Sequence, residues 1–167
     1  MTRSNARELA VHFVFEMSFT RQTAEELLGE ALTRPIFERI GKEEPLYAEF
    51  PNVDQREYIE TLVRGVEDHR EELDGYISQY AIGWNFSRLP RVTVSILRVC
   101  MFEILYMGDV PNAAAINEAV ELTKRYEQPE MAAFVNGILG SFVRSGPLPQ
   151  TQVAAPAPET FSPEEGL

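Results

Sequence analysis

The chain has 167 residues and a net charge of −11, a length that suits one domain with a real core and an overall acidity that argues against a general nucleic-acid coat. Apolar content of 44% and charged content of 25% are ordinary for a soluble globular protein. The single Cys100 excludes a disulfide framework and makes a reducing cytoplasm the expected compartment.

The charge is unevenly spread. Residues 1–21 carry three Arg against two Glu, residues 22–80 six basic against fifteen acidic groups, and residues 81–145 six of each. Concentrating the acid in one stretch leaves the two flanking stretches neutral enough for a local basic site.

Taken in order, nearly every element reads helical. Asn5 and Glu8 have capping-box spacing and predict a first helix to about Phe19. Its arginines and apolar residues mimic a signal peptide, but Glu8, His12 and Glu16 interrupt the run and no small-residue cleavage site follows. Thr23 and Glu26 repeat the capping pattern before "LLGEAL", and "GKEEPLYAEFPN" reads as a loop. Asp54 and Glu57 open a long amphipathic run with Tyr58, Leu62 and Val66; "REELDGYISQYAIGW" continues it after a break near His69.

Thr93 is the expected N-cap of a helix over Val94–Met107. That helix is apolar nearly all round, hence central and buried. It is too short and too charged to cross a bilayer, so no membrane segment is expected. Its Arg98 and Glu103 need partners or an interface, because an unpaired buried charge is costly. Asn112 should cap the next helix, with Ala115, Ile116, Ala119, Leu122 and Tyr126 inward. Pro129 marks the start of the last helix, ending near Arg144. From Gly146 the chain holds five of its eleven prolines and no apolar periodicity, the signature of a disordered tail over 146–167. The expected fold is all-α, with the folded domain over 1–145.

Residues 132–140, "AAFVNGILG", contain an Asn-Gly pair that would signal a hairpin between alternating apolar residues. Here Phe134 and Val135 are adjacent, as are Ile138 and Leu139. Met131, Phe134, Val135, Ile138, Leu139 and Phe142 instead fall within one helical arc of roughly 140°. Ala133, Gly137 and Gly140 lie on the small side of that helix. An interior glycine costs roughly 1 kcal/mol against alanine, so something should come close to the backbone: either another helix or a ligand.

No catalytic constellation can be assembled. Two histidines, His12 and His69, and one cysteine do not make metal-ligand spacings. No glycine-rich phosphate loop is present, so no cofactor is expected. His12, among Phe13, Phe15 and Phe19, reads as a packed histidine, and Glu43-Glu44 and Glu71-Glu72 as solvated faces. The chain is not expected to be an enzyme.

In this order, "NARELAVHFVF", "RVTVSILRVCMFEILY", "VPNAAAINEAVELTKRY" and "AAFVNGILG" resemble the transcription antitermination factor NusB family over residues 5–143, including the region of Trp84. The resemblance implies a helical bundle of two small subdomains. It implies an RNA-binding adaptor that joins NusE, a small-subunit ribosomal protein, on boxA single-stranded RNA of ribosomal RNA operon transcripts. It also implies membership of the RNA polymerase antitermination complex that reads through terminators.

Carried over residue by residue, the family's basic N-terminal RNA-contacting segment corresponds to Arg3 and Arg7. Many members have a denser arginine run; here Ser4 and Asn5 intervene. Phe15 stands where the family often has Tyr, leaving stacking without a hydroxyl. Phe134 matches the family's RNA-side aromatic, and Glu130 its acidic neighbour. Asn136 is available to hydrogen-bond, and Gly137 keeps the helix surface low. The same helical unit resembles the N-terminal domain of some RNA cytosine methyltransferases, but only the short tail follows it here. The alternative class is a helical protein-interaction or homodimerisation module without RNA contact, in which Arg3 and Arg7 would be idle.

Overall fold

Thr2, not Asn5, opens the first helix: the Thr2 hydroxyl accepts the Asn5 N–H at 3.0 Å, and α1 runs Arg3–Met17. Asn5 is already inside the helix, which starts about one turn earlier than the spacing with Glu8 predicts. The computed structural model describes residues 1–145, and those residues form helices and turns without a strand. The proposed tail over 146–167 lies outside the described residues.

The chain divides after Asp68 into two compact units, in keeping with the two helical subdomains that the sequence resemblance implies. The first unit contains α1, α2 (Ala24–Ala31), α3 (Arg34–Ile40), a 3₁₀ turn at Pro45–Tyr47, and α4 (Val53–Asp68). At α2 the capping box forms as expected, the Thr23 hydroxyl accepting the Glu26 N–H at 3.1 Å and Glu26 accepting the Thr23 N–H at 2.9 Å. A further orphan N–H of this helix start, that of Ala24, donates to Glu67 of α4 at 2.7 Å. At α4 the reciprocal box is made by Asn52 and Gln55 rather than by Asp54 and Glu57, with bonds of 2.8 and 2.9 Å.

Pro35 sits in the first turn of the short α3, where its missing N–H costs nothing. The stretch read as a loop is held by rings: Phe37 stands 4.8 Å from Tyr47 and edge-on to Phe50 at 5.2 Å. Arg34 and Arg56 place their guanidiniums 4.7 and 5.1 Å from the Phe50 ring. Leu9, Phe13, Leu27, Ile59, Leu62 and Val63 fill the core of this unit.

The second unit holds α5 (Arg70–Tyr80), a 3₁₀ turn at Phe86–Arg88, α6 (Arg91–Tyr106), α7 (Asn112–Tyr126) and α8 (Pro129–Ser145). The break at His69 falls where expected. Pro90, not Thr93, is the N-cap of α6; Thr93 is buried within the helix with no hydrogen-bond partner for its hydroxyl. Likewise Pro111 precedes α7 and Asn112 is its first residue. A proline presets the backbone at the start of each of these two helices, so the polar residues need not cap them.

As its all-round apolar sequence requires, α6 is buried from Thr93 to Ile104 except at Arg98. Arg98 meets Asp74 of α5 in a two-pronged ion pair, Nε to Oδ1 at 2.7 Å and Nη2 to Oδ2 at 2.9 Å. Glu103 is fully buried and is not without a partner. Two other buried hydroxyls return to their own helix: Ser95 donates to the Arg91 carbonyl at 2.8 Å, and Thr123 to that of Ala119 at 2.7 Å. Cys100 is a buried thiol that donates to the Ala115 carbonyl at 3.4 Å, as expected of a core residue. On α7 Ala115, Ala119 and Leu122 are buried, while Tyr126 is exposed.

Candidate nucleic-acid interface

On the first unit, Arg3 and Arg7 stand in the first turns of α1 and Phe15 near its end. The Arg3 guanidinium lies over the ring of Tyr58, 4.4 Å from its centroid, and that of Arg7 lies 5.9 Å from the same ring. The two arginines are not equivalent. Arg3 is half-buried, whereas Arg7 is only 2% exposed. Beside them opens a cavity of about 310 Å³ lined by Arg3, Ala6, Asp54, Gln55 and Tyr58. Phe15 is half-buried on α1 and meets Phe19 edge-on at 4.9 Å; Phe19 is 60% exposed.

His12, on the same helix, is half-buried near Tyr47, with ring centroids 6.2 Å apart. Burial pushes its pKa below the usual imidazole value, and Glu8 and Glu44 only partly oppose that shift. This is the behaviour of a packed histidine.

On the second unit, α8 carries Glu130, Phe134, Asn136 and Gly137. Glu130, Ala133, Phe134 and Gly137 recur at the spacing of one helix face, and Asn136 flanks it. Glu130, Asn136 and Gly137 are exposed, and Phe134 is half-buried. The buried side of the helix is Ala132, Val135, Ile138, Leu139 and Phe142. Met131 and Phe134 therefore sit at the border of the predicted apolar arc rather than in the core. A Cβ built on Gly137 would meet nothing within 4 Å. Of the two explanations for this glycine, no neighbouring helix among the described residues packs on it.

Trp84 and Tyr58 join these sets without having been singled out from sequence. Gly83, with φ of 86°, turns the chain after α5 in a conformation that glycine adopts without strain. The turn delivers Trp84, 46% exposed, to within 5.0 Å of the Phe134 ring. An aromatic in a Gly-containing turn was the available signal for Trp84. Tyr58 was legible only as a core-facing helix residue.

Among the described residues no group of His, Cys, Asp and Glu is placed to hold a metal ion, and no helix is long and apolar enough to cross a membrane.

The helical architecture and the sequence place the chain in a class of all-helical transcription antitermination proteins, regulators rather than enzymes. A "Transcription antitermination protein NusB" of Symbiobacterium thermophilum is 40% identical over 145 residues, covering 86% of this chain and 90% of the relative. That of Clostridium novyi is 34% identical over 145 residues, covering 87% of this chain and all of the relative. Among solved structures, T. maritima NusB superimposes with a TM-score of 0.75 at 26% identity, covering 92% of this chain and 98% of that one. The NusB of Aquifex aeolicus, at 23% identity and a TM-score of 0.60, shares the fold. The sequence model of the NusB family matches residues 4–144. The chain belongs to the NusB family.

Proposed function

We propose that this chain is an RNA-binding antitermination factor that holds boxA-type single-stranded RNA of ribosomal RNA operon transcripts together with the ribosomal protein NusE. It acts in the cytoplasm, within the RNA polymerase antitermination complex. The observation that carries the reading is the open backbone at Gly137 beside Phe134 and Trp84. A helix interior that gives up roughly 1 kcal/mol for a glycine, yet has no other element of the described residues within 4 Å of a Cβ built there, keeps room for something that approaches from outside.

Each unit contributes its own contacts. On the first, Arg3 neutralises phosphate and Phe15 offers a ring. Arg7, being buried, positions Tyr58 and Arg3 and makes no direct phosphate contact. On the second, Phe134 and Trp84 stack with bases, Asn136 hydrogen-bonds a base or sugar, and Glu130 accepts from base or ribose donors. The binding function is assigned to residues 1–145, leaving 146–167 outside it.

Magnitudes favour a shared ligand. For single strands, log K falls with log salt by about 0.7 per phosphate neutralised, so one to three cationic contacts give a slope of at most about −2. Stacking adds roughly 1–3 kcal/mol per base. Such a chain binds RNA weakly alone and tightly once a partner extends the surface. The acidic stretch over residues 22–80 suits a basic ribosomal protein, because opposite fields speed association.

The test is a gel-shift titration with boxA RNA, with and without NusE. A shift that strengthens with NusE supports the reading. No shift in either lane, with folded protein, replaces it with an interaction module that does not touch RNA.

A further inference from the structure

The cavity beside Arg3 holds a side chain that phosphate recognition does not explain. Its lining combines a cation, Arg3, a ring, Tyr58, and a carboxylate, Asp54. Arg3 over Tyr58 at 4.4 Å suits RNA: a guanidinium plane and an aromatic ring are the surfaces on which unstacked bases come to rest. Asp54 does not suit a phosphate, which it repels. A carboxylate in such a place is an acceptor for the N–H groups of a base edge.

We infer that this cavity is a nucleobase pocket selective for guanine, with Asp54 as the specificity-determining residue; the inference rests on the RNA-binding reading above. The other polar lining group is already committed. Gln55 accepts the Asn52 N–H at 2.8 Å and donates to the Met1 carbonyl at 2.6 Å. Those bonds tie the segment before α1 to the start of α4, holding Arg3 beside Asp54. Asp54 remains exposed in the first turn of α4. A carboxylate offers two adjacent acceptors. Guanine alone among the four bases offers two adjacent donors on its Watson–Crick edge, N1–H and the N2 amino group. Uracil presents one N–H between two carbonyls, and cytosine and adenine present an amino group next to an acceptor nitrogen that a carboxylate repels. The cavity, about 310 Å³, is at the lower end of small-molecule sites, in proportion to a single base.

Arg3 and Tyr58 supply the stack, and the Arg3 charge offsets that of Asp54 towards the neighbouring phosphate. Purine size alone would also favour adenine. The carboxylate predicts guanine over adenine as well as over uracil.

The experiment uses the full chain and fluorescein-labelled twelve-nucleotide RNAs, all uridine except one central position, read by fluorescence anisotropy at low salt. With guanosine at that position, affinity should exceed that of the adenosine and all-uridine oligomers by about tenfold, roughly 1.4 kcal/mol. Inosine, which lacks the N2 amino group, should lose most of the gain. In Asp54→Asn the ratio of guanosine to adenosine affinity should fall to within twofold. Asp54 is exposed, and a circular-dichroism melt verifies that the variant is folded. If the wild-type chain binds all three oligomers equally, the pocket assignment is wrong while RNA binding stands. A guanosine preference that survives Asp54→Asn overturns the role of Asp54. If no oligomer binds, alone or with NusE, the RNA reading and the pocket fall together.

Discussion

Replacing Gly137 by alanine adds one methyl group near the middle of α8, at an exposed position where the new Cβ meets nothing within 4 Å. On stability alone the substitution should help. Alanine is favoured over glycine in a helix interior by about 0.8–1 kcal/mol, much of it because glycine gives the unfolded chain more freedom. With no neighbour to displace, nearly all of that gain should be realised. For a chain of this size, it raises the melting temperature by roughly 2–4 °C. If RNA comes against the bare backbone, the same methyl should weaken RNA binding several-fold, and Gly137→Leu should weaken it further at similar stability. Thermal denaturation followed by circular dichroism and an RNA titration in the presence of NusE read the two quantities on the same preparations. A stabilised protein with reduced RNA affinity is the expected pair of results. A destabilised Gly137→Ala would mean that the position is occupied in the folded chain. Stabilisation with full RNA affinity in both variants would refute close approach at this ridge.

Arg3→Ala should reduce the salt slope of RNA binding by about 0.7, the share of one phosphate, with a small drop in melting temperature from the lost stacking on Tyr58. Arg7→Ala, at a buried position, should lower the melting temperature as well as the affinity. Arg98→Ala leaves the partly buried Asp74 carboxylate without its two donors and should cost about 2 kcal/mol in urea denaturation. Arg98→Lys should recover only part of that, since a lysine cannot make both bonds in plane. His12 has a pKa held down by burial, so the unfolded chain takes up a proton at higher pH than the folded one. Its contribution is complete above the usual imidazole pKa, about 6.5, and is lost as pH falls through the lower folded value. His12→Gln should flatten the stability profile in that acid window; an unchanged profile would assign the pH dependence elsewhere. Truncation after Arg144 should leave RNA affinity as it is, and a loss of binding would bring the tail into the site.

Much of this protein was legible along the chain. The apolar periods of the six long helices, the capping box at Thr23, the break at His69 and the all-round apolar character of α6 are local patterns. They rest on spacings of three and four residues that a helix imposes on itself. The motifs that mark the family are local too. Even the oddity of Gly137 could be read there, because a glycine in a helix has a cost whatever surrounds it. Helix starts were harder: Thr2, Asn52 and two prolines took over from Asn5, Asp54, Thr93 and Asn112, since several polar residues near each start compete for the same few orphan N–H groups.

Other features depend on which helix side chains meet, and no short-range pattern carries that. Arg7 has the sequence of a surface cation, yet the packing of α1 on α4 buries it. Tyr58 becomes a platform for Arg3, and Asp54 and Gln55 become the wall of a cavity, because α4 returns alongside the start of α1. Trp84 reaches Phe134 across about fifty residues of chain through the turn at Gly83. Local periodicity sets which face of a helix is apolar, whereas burial against a distant element decides which polar side chains on its margins remain available for a ligand.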